Sequence, residues 1–139
     1  MRDRSWRLRV APAPSACRFA RLELRRFLAP LLGETLVDDA VLVLHELVAN
    51  GIDHAGTPML LTARVRGGSV RLTVRDGSPV PGRERPLDPS APRGRGLQIV
   101  GSVARDWGVR RHRRGKTTWA ELGPADAPVT PQLHLVGPG

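Results

Sequence analysis

The 139 residues contain no tyrosine, two phenylalanines, one cysteine and a single lysine, Lys116. Each scarcity excludes something. With so few rings there is little on which successive nucleobases could stack, which argues against a single-stranded nucleic-acid platform. Cys17 has no partner for an internal disulfide, so a reducing compartment, the cytoplasm, is expected. No apolar run approaches the ~18 residues of a membrane-spanning helix, and none after Met1 reads as a signal peptide. What is present is arginine: Lys and Arg total 22 against 13 acids, a formal charge of +9. The arginines gather at Arg2 to Arg9, Arg18 to Arg26 and Arg110 to Arg114. That balance raises the question of nucleic acid, but the missing rings favour a protein-docking surface. Apolar residues make up 40% of the chain, enough for one domain with one core.

Trp6, Leu8 and Val10 alternate with Arg7 and Arg9, the period of a half-buried strand. After Pro12 and Pro14, Ser15 offers an N-cap for a helix to about Leu32, with Ala20, Leu24, Phe27, Leu28 and Leu31 on its apolar stripe. A second helix is expected from about Thr35 to Ala55, with Val37, Val41, Leu44, Val48 and Ile52 at helical spacing. Met59 to Arg66 and Ser69 to Asp76 read as a hairpin turning at Gly67-Gly68. Gly77 to Arg93 holds five prolines and little apolar material, so it reads as a long functional loop or lid, mobile when nothing is bound. A third helix opens at Gly94 to Gly96 and runs through Val103. Trp107 to Arg113 and Thr117 to Leu122 form a last hairpin, and residues 124–139 read as a loose Pro/Gly-rich tail after a domain of residues 1–123. The expected architecture is α+β: two layers, a mixed and mostly antiparallel sheet with about three helices on one face.

Three places carry chemistry. On the second helix Glu46, Asn50 and Asp53 fall within a narrow arc, because each residue turns the helix by about 100°. These oxygen-bearing groups suit Mg²⁺ shared with nucleotide phosphates, although a solvated helix face shows the same spacing. The strand ending in Asp76-Gly77 can aim a carboxylate into a cleft, where it would accept from an exocyclic amine such as adenine's. The same pair is a common turn. Arg93-Gly94-Arg95-Gly96-Leu97 precedes a helix whose N-terminus offers unpaired N–H groups to an anion. It follows no strand of a βαβ unit, and Gly115-Lys116-Thr117 lacks the earlier glycine of a Walker A loop.

The order of these signals is more specific than any one of them. A helix with Glu-x-x-x-Asn, a strand ending in Asp-Gly, a Pro-rich segment, Gly-x-Gly opening a helix and Gly-Lys-Thr in a last hairpin resembles the histidine-kinase-like ATPase superfamily. The run His45-Glu46-Leu47-Val48-Ala49-Asn50-Gly51-Ile52-Asp53-His54-Ala55 is most similar to the anti-sigma-factor serine kinases within it. The resemblance spans about Trp6 to Leu122 and implies the Bergerat-type ATP-binding fold. It implies ATP and Mg²⁺ as cofactors, Asn50 as the metal ligand and Glu46 as the general base. Asp76 matches the residue that recognises the adenine amine, with Gly77 beside it. Arg93, Gly94, Arg95, Gly96 and Leu97 fall in the phosphate-contacting stretch, and Thr117 matches the threonine supporting the adenine site.

The function so implied is a protein serine/threonine kinase that regulates transcription by partner switching. Its partners would be a sigma factor and the antagonist protein that it phosphorylates, and a homodimer is compatible with the resemblance. Two departures stand out. Asp76-Gly77-Ser78-Pro79-Val80 lacks the second glycine of the family's Asp-x-Gly-x-Gly, and Asp53 stands where a basic residue is common. They keep a second reading open, a sequestering module with weakened or lost nucleotide chemistry. A basic nucleic-acid-binding protein is the third.

Overall fold

The computed structural model describes residues 3–77 and 95–124. The lid expected between Gly77 and Arg93, the residues Arg93 and Gly94, and the tail from residue 125 onward lie outside the described residues. The order of elements is β1 (Arg4–Val10), α1 (Ser15–Leu28), α2 (Glu34–His54), β2 (Met59–Arg66), β3 (Ser69–Asp76), α3 (Arg95–Val103), β4 (Asp106–His112) and β5 (Gly115–Leu122). The strands form one sheet in the order β1-β2-β3-β5-β4. The expected α+β layering is borne out. The sheet is not mixed, however, because each of its four pairings is antiparallel.

Strand alternation decides which face is covered. Met59, Leu61, Ala63 and Val65 on β2 are buried, as are Val70, Leu72 and Val74 on β3 and Ala120 and Leu122 on β5. These residues point to the helices, and each fully buried Leu or Val removes enough apolar surface to stabilise the fold by about 1.5–3 kcal/mol. The intervening residues form the opposite face, which no described helix covers. The α2 helix is buried on a wider arc than its expected stripe, adding Ala40, Val43, Leu47 and Gly51. It is the middle helix, packed on α1, on α3 and on the sheet at β3 and β5.

Two helix ends differ from the sequence expectation. Ser15 is the first helical residue and not the cap; Pro14 holds the cap position, and no side-chain cap bond forms. The α1 helix stops at Leu28, about one turn before Leu32. Pro30 is the cause, since it has no N–H to return to the carbonyl of Arg26. Leu31 and Leu32 instead both donate to the Leu28 carbonyl. Among the described residues no helix is long and apolar enough to cross a membrane.

Cys17 lies buried in α1. Burial raises its thiol pKa above the ordinary value; Arg21 opposes that rise, and Glu46 and Asp53 add to it. The thiolate is the reactive form, so native Cys17 should react with a thiol reagent far more slowly than the urea-unfolded chain. The sign for stability follows from the raised pKa. The unfolded chain loses the proton first, so this contribution is complete below the ordinary thiol pKa and declines as pH rises towards the folded value. Comparing labelling rates with and without urea at one pH checks the point.

Candidate functional site

The α2 helix carries Glu46 and Asn50 one turn apart, and Glu46 faces the start of α3. Contact there is close. A Cβ on Gly96 would lie 2.9 Å from Oε1 of Glu46 and 3.7 Å from its Cβ, so a larger residue there would push the carboxylate aside. The Glu46 side chain is 19% exposed, and its Oε2 is 3.8 Å from Nε2 of His45. Asn50 presents a different signal. Its Oδ1 is buried and has no hydrogen-bond partner among the described residues. Such an acceptor costs about 1–3 kcal/mol when left unsatisfied, and a native fold that keeps one is commonly holding a place for a ligand, ion or water.

One residue further, Gly51 ties this helix to the sheet. A Cβ on it would run into the side chain of Met59 and touch that of Val74. Met59 is the cross-strand partner of Asp76. The end of β3 thus lies beside the helix turn bearing Asn50. Asp76 is buried, its side chain 2% exposed, and its Oδ2 is 3.0 Å from Nζ of Lys116. Gly77 extends the strand end, its N–H donating to Oγ1 of Thr57 at 2.9 Å. Gly115 passes beneath with φ +134, where a Cβ would fall far inside contact distance of the Asp76 carbonyl oxygen. Gly115→Ala should therefore cost about 2–4 kcal/mol by adding a clash to backbone strain. Urea unfolding followed by far-ultraviolet circular dichroism measures it.

The structure brings Glu46 to Gly96 and the Asn50 turn to the Asp76 strand end. It does not bring Thr117 to Asp76. Thr117 pairs with Arg75 on β3 and with Arg110 on β4, on the face that no described helix covers, and its hydroxyl is 2.6 Å from Nε2 of His112. The residue opposite Asp76 is Lys116, and the next residue on that face is the buried Thr118. The expected threonine is displaced because successive strand residues point to opposite faces. Leu97 is buried in the core cluster, a packing residue by its side chain. Arg95 opens α3, and Asp53 on α2 is exposed.

The place of Lys116 beside Asp76, and those of Thr118 and Thr57, are not visible in the sequence. The first two follow from the β3–β5 register, which one sequence does not disclose. Thr57 is a loop residue 20 positions before the N–H it accepts from, with no motif to mark it.

The oxygen set also bears on a divalent cation. An orphaned amide oxygen on a helix, with a carboxylate one turn away, is the kind of hard, sparse donor set with which Mg²⁺ is held when phosphates supply the other ligands. Asn50 fits that requirement. Among the described residues there is no cluster of three His, Cys, Asp or Glu side chains that would make an all-protein metal cage.

Comparison with known proteins agrees with this layout. Residues 10–122 match the family model described as the histidine kinase-like ATPase domain. No curated protein matches the chain. Among solved structures, the chain is similar in fold to the RsbU and RsbW domains of Rv1364c from Mycobacterium tuberculosis, at 21% identity and a TM-score of 0.67. The likeness covers 91% of this chain but only 35% of that one, so the chain spans about a third of the length of the protein it resembles. With a family match that runs from the last residue of β1 to the last residue of β5, the chain belongs to the histidine kinase-like ATPase domain family.

Proposed function

We propose that this domain binds ATP with Mg²⁺ and acts as a protein serine/threonine kinase that regulates by switching partners. The observation that carries the proposal is the buried Oδ1 of Asn50, without a partner among the described residues, one turn after Glu46. In this reading Asp76 accepts from the adenine amine, and the backbone around Gly77 borders the base. Arg93, Gly94, Arg95 and Gly96 meet the phosphates at the start of α3. Leu97 serves that segment by anchoring it in the core. The role first given to Thr117 passes to the residues on the Asp76 face. Mg²⁺, held by Asn50, would neutralise phosphate charge as it develops.

The chemistry assigned to this chain is then short. Glu46 takes the proton from a substrate serine hydroxyl while its oxygen bonds to the γ-phosphorus. The bond from that phosphorus to the bridging β–γ oxygen breaks, and ADP leaves with the electron pair. By the sequence resemblance the partners are a sigma factor and the antagonist that receives the phosphate, in the cytoplasm, with a homodimer compatible. The working unit is residues 1–123, with 124–139 appended as a tail.

A sequestering module without transfer is the second reading, and one contact favours it. Lys116 already pairs with the carboxylate that would read the base. Incubation with γ-labelled ATP and the cognate antagonist separates the two: label on an antagonist serine or threonine supports the kinase, whereas a stable complex without label supports the module. Asn50→Ala should remove most of the Mg²⁺ dependence of nucleotide binding, measured as the affinity ratio with and without the ion.

A further inference from the structure

The sheet face that no described helix covers carries an ordered charge pattern that nucleotide chemistry does not use. Across its far end, the outward residues form rows in register. One row reads Ser5, Arg64, Arg71, Glu121 and Asp106, and there the cations are compensated. Arg64 pairs with Asp3 at 2.8 Å, and Arg71 pairs with Glu121 at 3.2 Å while covering the Trp119 ring at 4.5 Å. The row at the Asp76 end reads Arg9, Leu60, Arg75, Thr117 and Arg110. Its three arginines are exposed, and among the described residues none has an ion-pair partner. Arg113 and Arg114, in the β4–β5 turn, extend the same end.

We infer that this row is a docking surface for an acidic helix of a partner protein. The pitch argues for a helix. In the order β1-β2-β3-β5-β4, Arg9, Arg75 and Arg110 sit on every second strand, so neighbouring strands ~4.8 Å apart space them roughly 10 Å from one another. Acids seven residues apart on an α-helix lie ~10.5 Å apart on nearly one face. An extended peptide does not match: acids three apart have about the right reach but point to opposite faces. Guanidinium groups, which take carboxylates in bidentate fashion, suit this partner better than lysines would. Other occupants fit worse. A second copy would set like charge against like charge. A single-stranded nucleic acid would want several rings, and Trp119, the one tryptophan on this face, is already covered by Arg71.

The inference does not depend on nucleotide binding or phosphate transfer. The test is fluorescence anisotropy with a labelled, helix-forming peptide bearing three glutamates at seven-residue spacing, titrated with the full chain at low ionic strength. The combined Arg9→Gln, Arg75→Gln and Arg110→Gln variant should bind it at least tenfold more weakly. The Arg64→Gln, Arg66→Gln control, at positions facing Asp3, should stay within about twofold of the parent. Absence of binding, equal loss from both variants, or tighter binding of a single-stranded oligonucleotide of equal charge overturns the inference.

Discussion

Asp76→Asn should weaken ATP binding by about ten- to a hundredfold, since hydrogen bonds to a charged group contribute ~1.5–3 kcal/mol. The carboxylate is the buried acid at the strand end beside α2, and its geometry is set from two sides: by Met59 on β2 and by Lys116 on β5. An amide keeps the shape but loses the charge, and it can turn its NH₂ towards the base amine. The substitution also leaves Lys116, 17% exposed, without its anion, so thermal stability should fall as well. The two effects are separable. If Asp76 only anchored Lys116, stability would drop while ATP affinity stayed within about twofold.

Glu46→Gln should cut phosphate transfer by about 10²- to 10⁴-fold, the range for a positioned general base, with ATP affinity nearly unchanged. Its position supports this division of labour. Oε1 lies against the Gly96 backbone at the start of α3, and the side chain remains partly open. Glutamine preserves the packing on Gly96 and removes only proton acceptance. A surface glutamate without a role would give a stability change below about 0.5 kcal/mol and the parent rate of transfer. Single-turnover transfer to the antagonist, read beside equilibrium binding of ATP, distinguishes the outcomes.

Much of this site was legible because helical period is a local property. Glu46 and Asn50 share a side of α2 by counting alone, and the hairpin from Met59 to Asp76 announced itself through alternation around Gly67-Gly68. The element order followed from the same patterns. Facts that depend on pairing were less visible. The residue across from Asp76 is fixed by the β3–β5 register, where a shift of one residue exchanges faces; the Gly115-Lys116-Thr117 motif does not disclose that Lys116 holds that place and Thr117 the other face. The α1 end was misjudged for another reason: the apolar period continues to Leu31 and Leu32, yet Pro30 interrupts the hydrogen-bond ladder beneath it. The close approach of Gly96 to Glu46 joins residues 50 positions apart and leaves no trace in local spacing.

The most direct test of nucleotide chemistry at this site is calorimetric titration of the unmodified chain with ATP, at millimolar Mg²⁺ and again with the ion chelated. The account predicts saturable binding of one ATP per domain, weakened by chelation and weakened further in Asp76→Asn. A folded chain that releases no heat of binding at millimolar ATP and Mg²⁺, and competes for no adenine nucleotide, would contradict it.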